Sequence, residues 1–518
     1  MHRLEWADHV RFPLPYLIAS LPDGAAEDVP VNDATASWFG RHWLWVALVV
    51  IGTIHLPSLG HDFVDFDDDT IFLQNETLRR ADIGALADIF AWDRPTDYRP
   101  VRDVSHWIDH LAHGQDPFWA HFHNWLLLLG VAFVFGQLLR RLEVGGGLGM
   151  TTLLFAFLHP VQVETIAWVS GRKDLLAGLF LFSACWAFLR VYERASPLRV
   201  LGVMVLMVLG MFSKGHIVMA PVIFALLAVL SRWQGRRCDQ PRAVWATVVG
   251  AFVVMAVLLP RIATGPANLS AAMKASAQTS LVLTDRLQLP IRYLKNILWP
   301  ADLNHIYMTS AVDTTHVVLA WFSLFLGLLV FGLALWWCRR RDQRGPLLLI
   351  ACALIVPYLH IRPSTVYLAD RYLFCVLPFL AMVFALTGQQ LLATARRRRV
   401  AVAGVAMLLA SVAVPTHAAW QNSITLWTRM TEVYPESDWG YDRLGRRLYA
   451  QKRYEEAAGA FLAASERDPK DSRHLNNAAV AAMALGRNHL AIEWLRRALT
   501  VDPGNLAARR NLQKLGGN

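Results

Sequence analysis

Apolar residues occur in long runs rather than in alternation. About eleven runs reach membrane-spanning length: 43–59, 122–139, 147–166, 174–191, 197–213, 216–232, 243–260, 316–337, 346–361, 366–387 and 398–415. A helix rises 1.5 Å per residue, so roughly 20 apolar residues cross a hydrocarbon layer of about 30 Å. The pattern predicts an all-α, polytopic membrane bundle over residues 43–415, preceded by a polar segment, 1–42. Two longer stretches interrupt it, 60–121 and 261–315. Within them DYRPVRDVSHWIDH (Asp97 to His110) and DRLQLPIRYLKNILWP (Asp285 to Pro300) read as amphipathic helices lying along the membrane surface. Trp92, Tyr98, Trp107 and Trp119 suit an interfacial aromatic belt.

Beyond Pro415 the apolar density falls. Residues 416–437 read as a linker, and an internal repeat follows. Leu444, Gly445, Ala457, Phe461, Ala464 and Pro469 in 438–471 are answered 34 residues later by Ala478, Ala479, Ala491, Leu495, Ala498 and Pro503 in 472–505. That period, with small residues where helices cross, is the tetratricopeptide signature. Two repeats and a terminal helix, 506–515, bury too little surface to stand alone. Docking on the membrane domain or its outer loops is therefore predicted.

Charge orients the bundle. The chain has 518 residues, 55% of them hydrophobic, and a formal net charge of +10. An excess of that size suggests nucleic-acid binding until it is mapped. Arg140-Arg141, Arg190 to Arg199, Arg232 to Arg242, Arg339 to Arg344 and Arg396 to Arg399 all fall in alternate loops, which the positive-inside rule makes cytoplasmic. No cleavable signal peptide is read in residues 1–40; the first run serves as a signal anchor. The acidic stretch, the Glu164 to Asp174 segment, Lys214, Arg371 and the repeats then face the extracytoplasmic side. Five cysteines in no close pair suggest neither disulfides nor zinc, and the eighteen histidines lack metal-type spacing, so no metal site is assigned.

The polar residues needing explanation collect on that outer side. FVDFDDDTIF (Phe63 to Phe72) carries Asp65, Asp67, Asp68 and Asp69 between apolar neighbours. A solvated loop is the simple reading. Crowding and desolvation instead favour a proton acceptor, or a divalent cation held by Asp67 and Asp68. HPVQVETIAWVSGRKDLL (His159 to Leu176) places His159, Glu164, Arg172, Lys173 and Asp174 at a membrane boundary. Arg172 and Lys173 suit helix-end anchors as well as anion contacts. Glu164, among apolar residues, is costly unless functional. With Lys214 in MFSKGH and Arg371 in YLADRYLF, these cations suit a phosphate headgroup.

Together these motifs carry a resemblance. The acidic stretch followed by Asn75, YRP at 98–100, FHNWLLL at 122–128 and the 159–176 block resemble the O-mannosyltransferases with transmembrane and tetratricopeptide repeats; so do SK at 213–214, YLKNILWP at 293–300 and DRYLFCVLP at 370–378. The likeness extends over about residues 43–505. It departs at Gly215-His216, where the family often has an acidic residue, and in its short repeat array. The resemblance implies a GT-C fold and inverting transfer of a sugar from a polyprenyl-phosphate donor to Ser/Thr hydroxyls of a protein on the outer face. The Ala-, Leu- and Arg-rich composition suggests a bacterial inner-membrane relative, whose carrier would be undecaprenyl phosphate. In this reading Asp67 is the general base and Asp68 orients the acceptor or binds a metal. Arg371, Lys214, Arg172 and Arg99 hold the donor phosphate, and Glu164, Asp174, His159 and Asp370 support them. Repeat position makes Trp439, Asp442, Arg446, Tyr449, Arg473, Asn476 and Met483 candidates for acceptor contact.

Other classes remain open at this stage: the same donor chemistry with a lipid or polysaccharide acceptor, or a membrane scaffold displaying a repeat surface. A transporter would call for paired halves with matching broken spans. The sequence has no such symmetry.

Overall fold

The computed structural model of the chain describes residues 33–91, 98–263, 286–307, 314–359, 368–392 and 394–516. Most of the expected N-terminal segment, Trp92, Asp97 and much of the 261–315 stretch lie outside these residues. Among the described residues every regular element is helical. Seven helices among the described residues are long and apolar enough to cross a membrane, from Arg41–Gly60 to Ala395–Ala419. Gly146–Leu158 and Pro160–Ala167 form a further pair bent by 56°, and three shorter apolar helices, Pro197–Ser213, Arg344–Tyr358 and Leu377–Leu391, fall on the remaining predicted runs. This is a multi-pass helical membrane protein.

The spans are interrupted at one end of the bundle, and each interruption carries charge. Pro160 cannot donate to the ladder, and it ends the helix Gly146–Leu158 one turn before Glu164. A 3₁₀ turn, Val169–Gly171, then leads into the helix Arg172–Glu193. Gly171 is required there, because a Cβ would sit 2.3 Å from the Thr165 carbonyl oxygen. Lys214 is an extended residue between the helix Pro197–Ser213 and a short 3₁₀ turn. The predicted run 366–387 is a further correction. Its described part is α-helical only from Leu377, and Asp370–Leu373 forms a separate 3₁₀ turn. These breaks, invisible to an average over apolar residues, aim Glu164, Lys173, Lys214 and Arg371 at one place.

One apolar core runs through the bundle, with Phe135, Phe157, Phe182, Phe188, Phe224 and Phe379 fully buried. At the opposite, basic end, Arg141 and Arg236 both donate to Glu193 and tie two basic loops together.

Residues 416–437 are not a linker. The helix Ala395–Ala419 continues through Pro415, and Ser423–Val433 forms another helix with an Asn422 capping box. Pro415 removes one ladder hydrogen bond near the end of that helix, which continues past it. Trp420 and Leu426 pack with Val64, Val163, Ala167, Trp168 and Ala413 in a small core beneath the acidic segment. The repeats follow as Asp438–Ala450, Tyr454–Arg467, Ser472–Ala484 and Asn488–Val501, closed by Leu506–Lys514. Gly445 lets the first pair cross closely: a Cβ would meet the Phe461 ring at 2.8 Å.

Candidate functional site

The four aspartates of the acidic stretch have four different environments. Asp65 is buried; it accepts from Trp427 Nε1 at 2.6 Å and from Arg447 Nε, and its own N–H donates to Ser423 Oγ at 3.0 Å. Asp69 accepts from Arg447 Nη2 at 3.2 Å. Asp68 is fully buried, taking hydrogen bonds from the Ser170 N–H at 2.9 Å, the Ser170 hydroxyl at 2.5 Å and the Val64 N–H at 3.2 Å. Burial raises its carboxyl to about 6 against the pull of those donors. Asp67 differs. Its side chain is 42% exposed, and its carboxylate stands 3.9 Å from Lys173 Nζ.

Beyond Lys173 the cations continue in a line, separated by aromatic rings. Lys173 Nζ lies 4.5 Å from the centroid of Trp168, and the Arg371 guanidinium lies 5.0 Å from the same ring. Arg371 and Lys214 then share Tyr372, at 5.2 and 5.1 Å. Tyr372 stacks on Tyr358 at 4.1 Å. Arg99, at the start of the helix Pro100–His113, is within electrostatic reach of both Lys173 and Lys214. Two buried carboxylates hold the line in place: Glu164 accepts from the Arg371 guanidinium and, at 2.8 Å, from its backbone N–H, and Asp174 accepts from Lys214. Lys173, Arg371, Lys214 and Arg99 thus bring a concentration of positive charge together at this end of the bundle.

Arg172 does not join this line. It is fully buried and spends its guanidinium on Asp109, on Asn124 Oδ1 at 2.7 Å and on the Ala120 carbonyl at 2.8 Å. Its role is to lock the helix Pro100–His113 against the bundle. Lys173, one position along and not among the residues expected to hold the donor phosphate, takes the place facing Asp67. A helix turns about 100° per residue, so neighbours face different ways, and which of two adjacent cations faces the site depends on packing. His159 and Asp370 stand one layer back. His159 Nε2 pairs with the Ile297 carbonyl at 2.9 Å, and Asp370 accepts from Asn296 at 2.8 Å and Tyr307 at 2.7 Å, which pins the 289–307 segment behind Arg371.

A divalent cation at Asp67 and Asp68 does not fit this geometry. Both Asp68 oxygens are taken by protein donors, and the Asp67 carboxylate lies against an ammonium. Among the described residues no group of three or more His, Cys, Asp or Glu side chains is arranged to hold a metal.

On the repeats, a recess of about 240 Å³ is lined by Asp438, Trp439, Asp442, Arg443, Arg446, Arg473 and His474. Four sequence candidates, Trp439, Asp442, Arg446 and Arg473, belong to it. Tyr449, Asn476 and Met483 do not: Tyr449 packs on Tyr454, Asn476 bonds Asn511 at 3.0 Å, and Met483 lies against the second repeat's core. Repeat position gives the helix but not the face its end presents. Burial raises Asp442, but hydrogen bonds from His474 and Arg446 outweigh it and bring the carboxyl down to about 2.

Fold and site thus define a multi-pass membrane protein with a cation-rich centre at one end and tetratricopeptide repeats seated over it. Residues 443–505 match the family model for the tetratricopeptide repeat. The chain is similar to a protein O-mannosyl-transferase of Caenorhabditis elegans, 30% identical over 144 residues, 25% of this chain and 20% of that protein. It is also similar to protein O-mannosyl-transferase TMTC4 of Homo sapiens, 26% identical over 241 residues (41% and 31%), and to tmtc2 of Xenopus laevis, 31% identical over 96 residues (18% and 11%). The matched parts span a third or less of each relative. The structure of ArnT from Cupriavidus metallidurans bound to undecaprenyl phosphate aligns with 89% of this chain and 78% of that one, at 15% identity and a TM-score of 0.37, too low to support a common fold.

Proposed function

We propose that this chain is a GT-C type glycosyltransferase that moves a sugar from a polyprenyl-phosphate donor to a Ser or Thr hydroxyl of a protein acceptor. The reaction runs on the extracytoplasmic side of a bacterial inner membrane. The observation that carries the reading is Asp67, an accessible carboxylate beside Lys173 at the head of a line of cations. The Asp67 carboxylate takes the proton of the acceptor hydroxyl. The hydroxyl oxygen bonds to the anomeric carbon from the face opposite the phosphate; the bond from that carbon to the phosphate oxygen breaks, and polyprenyl phosphate leaves with the electron pair. One displacement inverts the configuration.

Lys173, Arg371, Lys214 and Arg99 meet the charge that develops on the departing phosphate. Such prepositioned charge is among the larger contributions to catalysis. The uncapped N-terminus of the helix Arg172–Glu193 adds its dipole on the same side. Glu164 and Asp174 keep Arg371 and Lys214 from collapsing onto other groups. The isoprenoid tail would run between spans, which accounts for a charged site at a membrane boundary. The repeat recess, with Trp439, Arg446 and Arg473, is the place offered to the acceptor chain.

The test uses labelled undecaprenyl-phosphate mannose and a panel of Ser/Thr-rich peptides with purified protein in lipid nanodiscs. Asp67→Asn is expected to lower turnover by about 10²- to 10⁴-fold, the usual worth of a general base, with donor binding retained. Turnover within twofold of the parent protein removes Asp67 from the base role.

A further inference from the structure

The repeats do more than stand above the site: one of their side chains grips the acidic segment on both sides of Asp67. Arg447, on the first repeat helix Asp438–Ala450, donates through Nε to Asp65 and through Nη2 to Asp69 at 3.2 Å. Asp65 is held further by Trp427 and Ser423. Between these fixed points the segment forms a tight turn, in which the Asp67 carbonyl accepts from the N–H groups of Thr70 at 3.1 Å and Ile71 at 2.9 Å. The turn runs into a single π turn, Asp69–Leu73. Two carboxylates bound to one guanidinium, with the Asp67 carboxylate in the turn between them, fix where that turn points.

The same helix lines the recess. Arg443 lies one turn before Arg447, so both project from one side of the helix. Arg443 packs over Trp439 and Trp427 at 5.4 and 5.9 Å, and Trp427 is the indole that bonds Asp65. A contiguous path of touching groups therefore joins the recess to the turn carrying Asp67.

We propose that Arg447 is a positioning residue of the reaction, and that the first repeat is part of the active centre. Through Arg447 and Trp427, the helix lining the recess sets the place of Asp67. This inference rests on the reading of Asp67 as the base, and it makes a demand that reading alone does not. Loss of Arg447 should impair the chemical step even when water replaces the protein acceptor.

The experiment compares full-length parent protein, Arg447→Ala, Arg447→Lys and Asp69→Asn in nanodiscs, with labelled undecaprenyl-phosphate mannose as the probe. Arg447→Ala is expected to lower kcat for donor hydrolysis at least tenfold with donor KM within twofold. Arg447→Lys, which restores the charge, is expected to recover at least threefold of that loss. Asp69→Asn is expected to fall between, and the double variant with Arg447→Ala to be no worse than Arg447→Ala alone. Amide exchange over Val64–Phe72 reads the clamp without turnover, and it should accelerate at least tenfold in Arg447→Ala. Unchanged kcat with unchanged exchange overturns the proposal, as does a kcat loss that only follows the loss of folded protein. If the parent protein consumes no donor either alone or with the Ser/Thr-rich peptides while exchange responds as expected, the functional reading fails and the clamp stands.

Discussion

Four aspartates within five residues carry identical chemistry and different tasks, and the difference lies in what each carboxylate meets. Asp65 and Asp69 are spent on Arg447, Asp68 on Ser170 and Val64, and Asp67 is left facing Lys173. Because Asp68 has a carboxyl raised to about 6 from an ordinary 3.8, the folded protein binds its proton more tightly than the unfolded chain. Its contribution is therefore complete below about pH 4 and is lost as pH rises through 6. We expect thermal stability in detergent to fall over that window by up to about 3 kcal/mol, at 1.36 kcal/mol per pH unit. Asp68→Asn should flatten that part of the profile. A second comparison separates the hydrogen-bonded ion pairs from Lys173, which is buried but 3.9 Å from the Asp67 carboxylate. Glu164→Gln leaves Arg371 buried without its carboxylate, a loss of about 3–5 kcal/mol, and should cut the yield of folded protein. Lys173→Met should keep the yield and weaken donor binding about tenfold, measured by equilibrium binding of labelled donor.

Among the helical elements, the site is made where helices stop. Gly171 stands at the tightest of these breaks, so Gly171→Ala forces apart the turn bearing Glu164 and the helix bearing Lys173 and Asp174. Overpacking of this kind costs about 1–3 kcal/mol, and donor turnover should fall more steeply than thermal stability. The repeats offer an opposite case. Lys452 and Gly486 occupy the same turn 34 residues apart, and both have positive φ, 62° and 73°. Only glycine adopts that conformation without a Cβ penalty, partly offset by its entropy in the unfolded chain. Lys452→Gly should be neutral or stabilising by up to about 1 kcal/mol in chemical unfolding.

For the whole molecule, sidedness joins the parts. Acidic segment, cation line and repeats lie at one end of the bundle, and the basic loops at the other. In sealed right-side-out vesicles a Thr70→Cys variant is expected to react with a membrane-impermeant maleimide, while native Cys238, in the basic loop 232–242, reacts only after permeabilisation. Equal labelling of both before permeabilisation would reject the assigned orientation.

Length and charge of the apolar runs determined the helical membrane class and the expected orientation without any coordinates, because hydrocarbon thickness and loop charge act on each segment independently. The 34-residue period determined the repeats for a similar reason: neighbouring repeats meet through local contacts. The identities of the site residues were partly legible, since a charge such as Glu164 or Arg371 within an apolar run needs a partner wherever it is. Which partner it finds was left to the tertiary structure. Arg172 and Lys173 are adjacent and alike in sequence, yet one is locked on Asp109 and the other faces Asp67, and the stretch 416–437 holds the helix Ser423–Val433, whose Leu426 packs with Val64 and Trp168, where a linker was expected. Side-chain direction and long-range pairing arise only when segments hundreds of residues apart are packed together, as Arg447 is with Asp65 and Asp69.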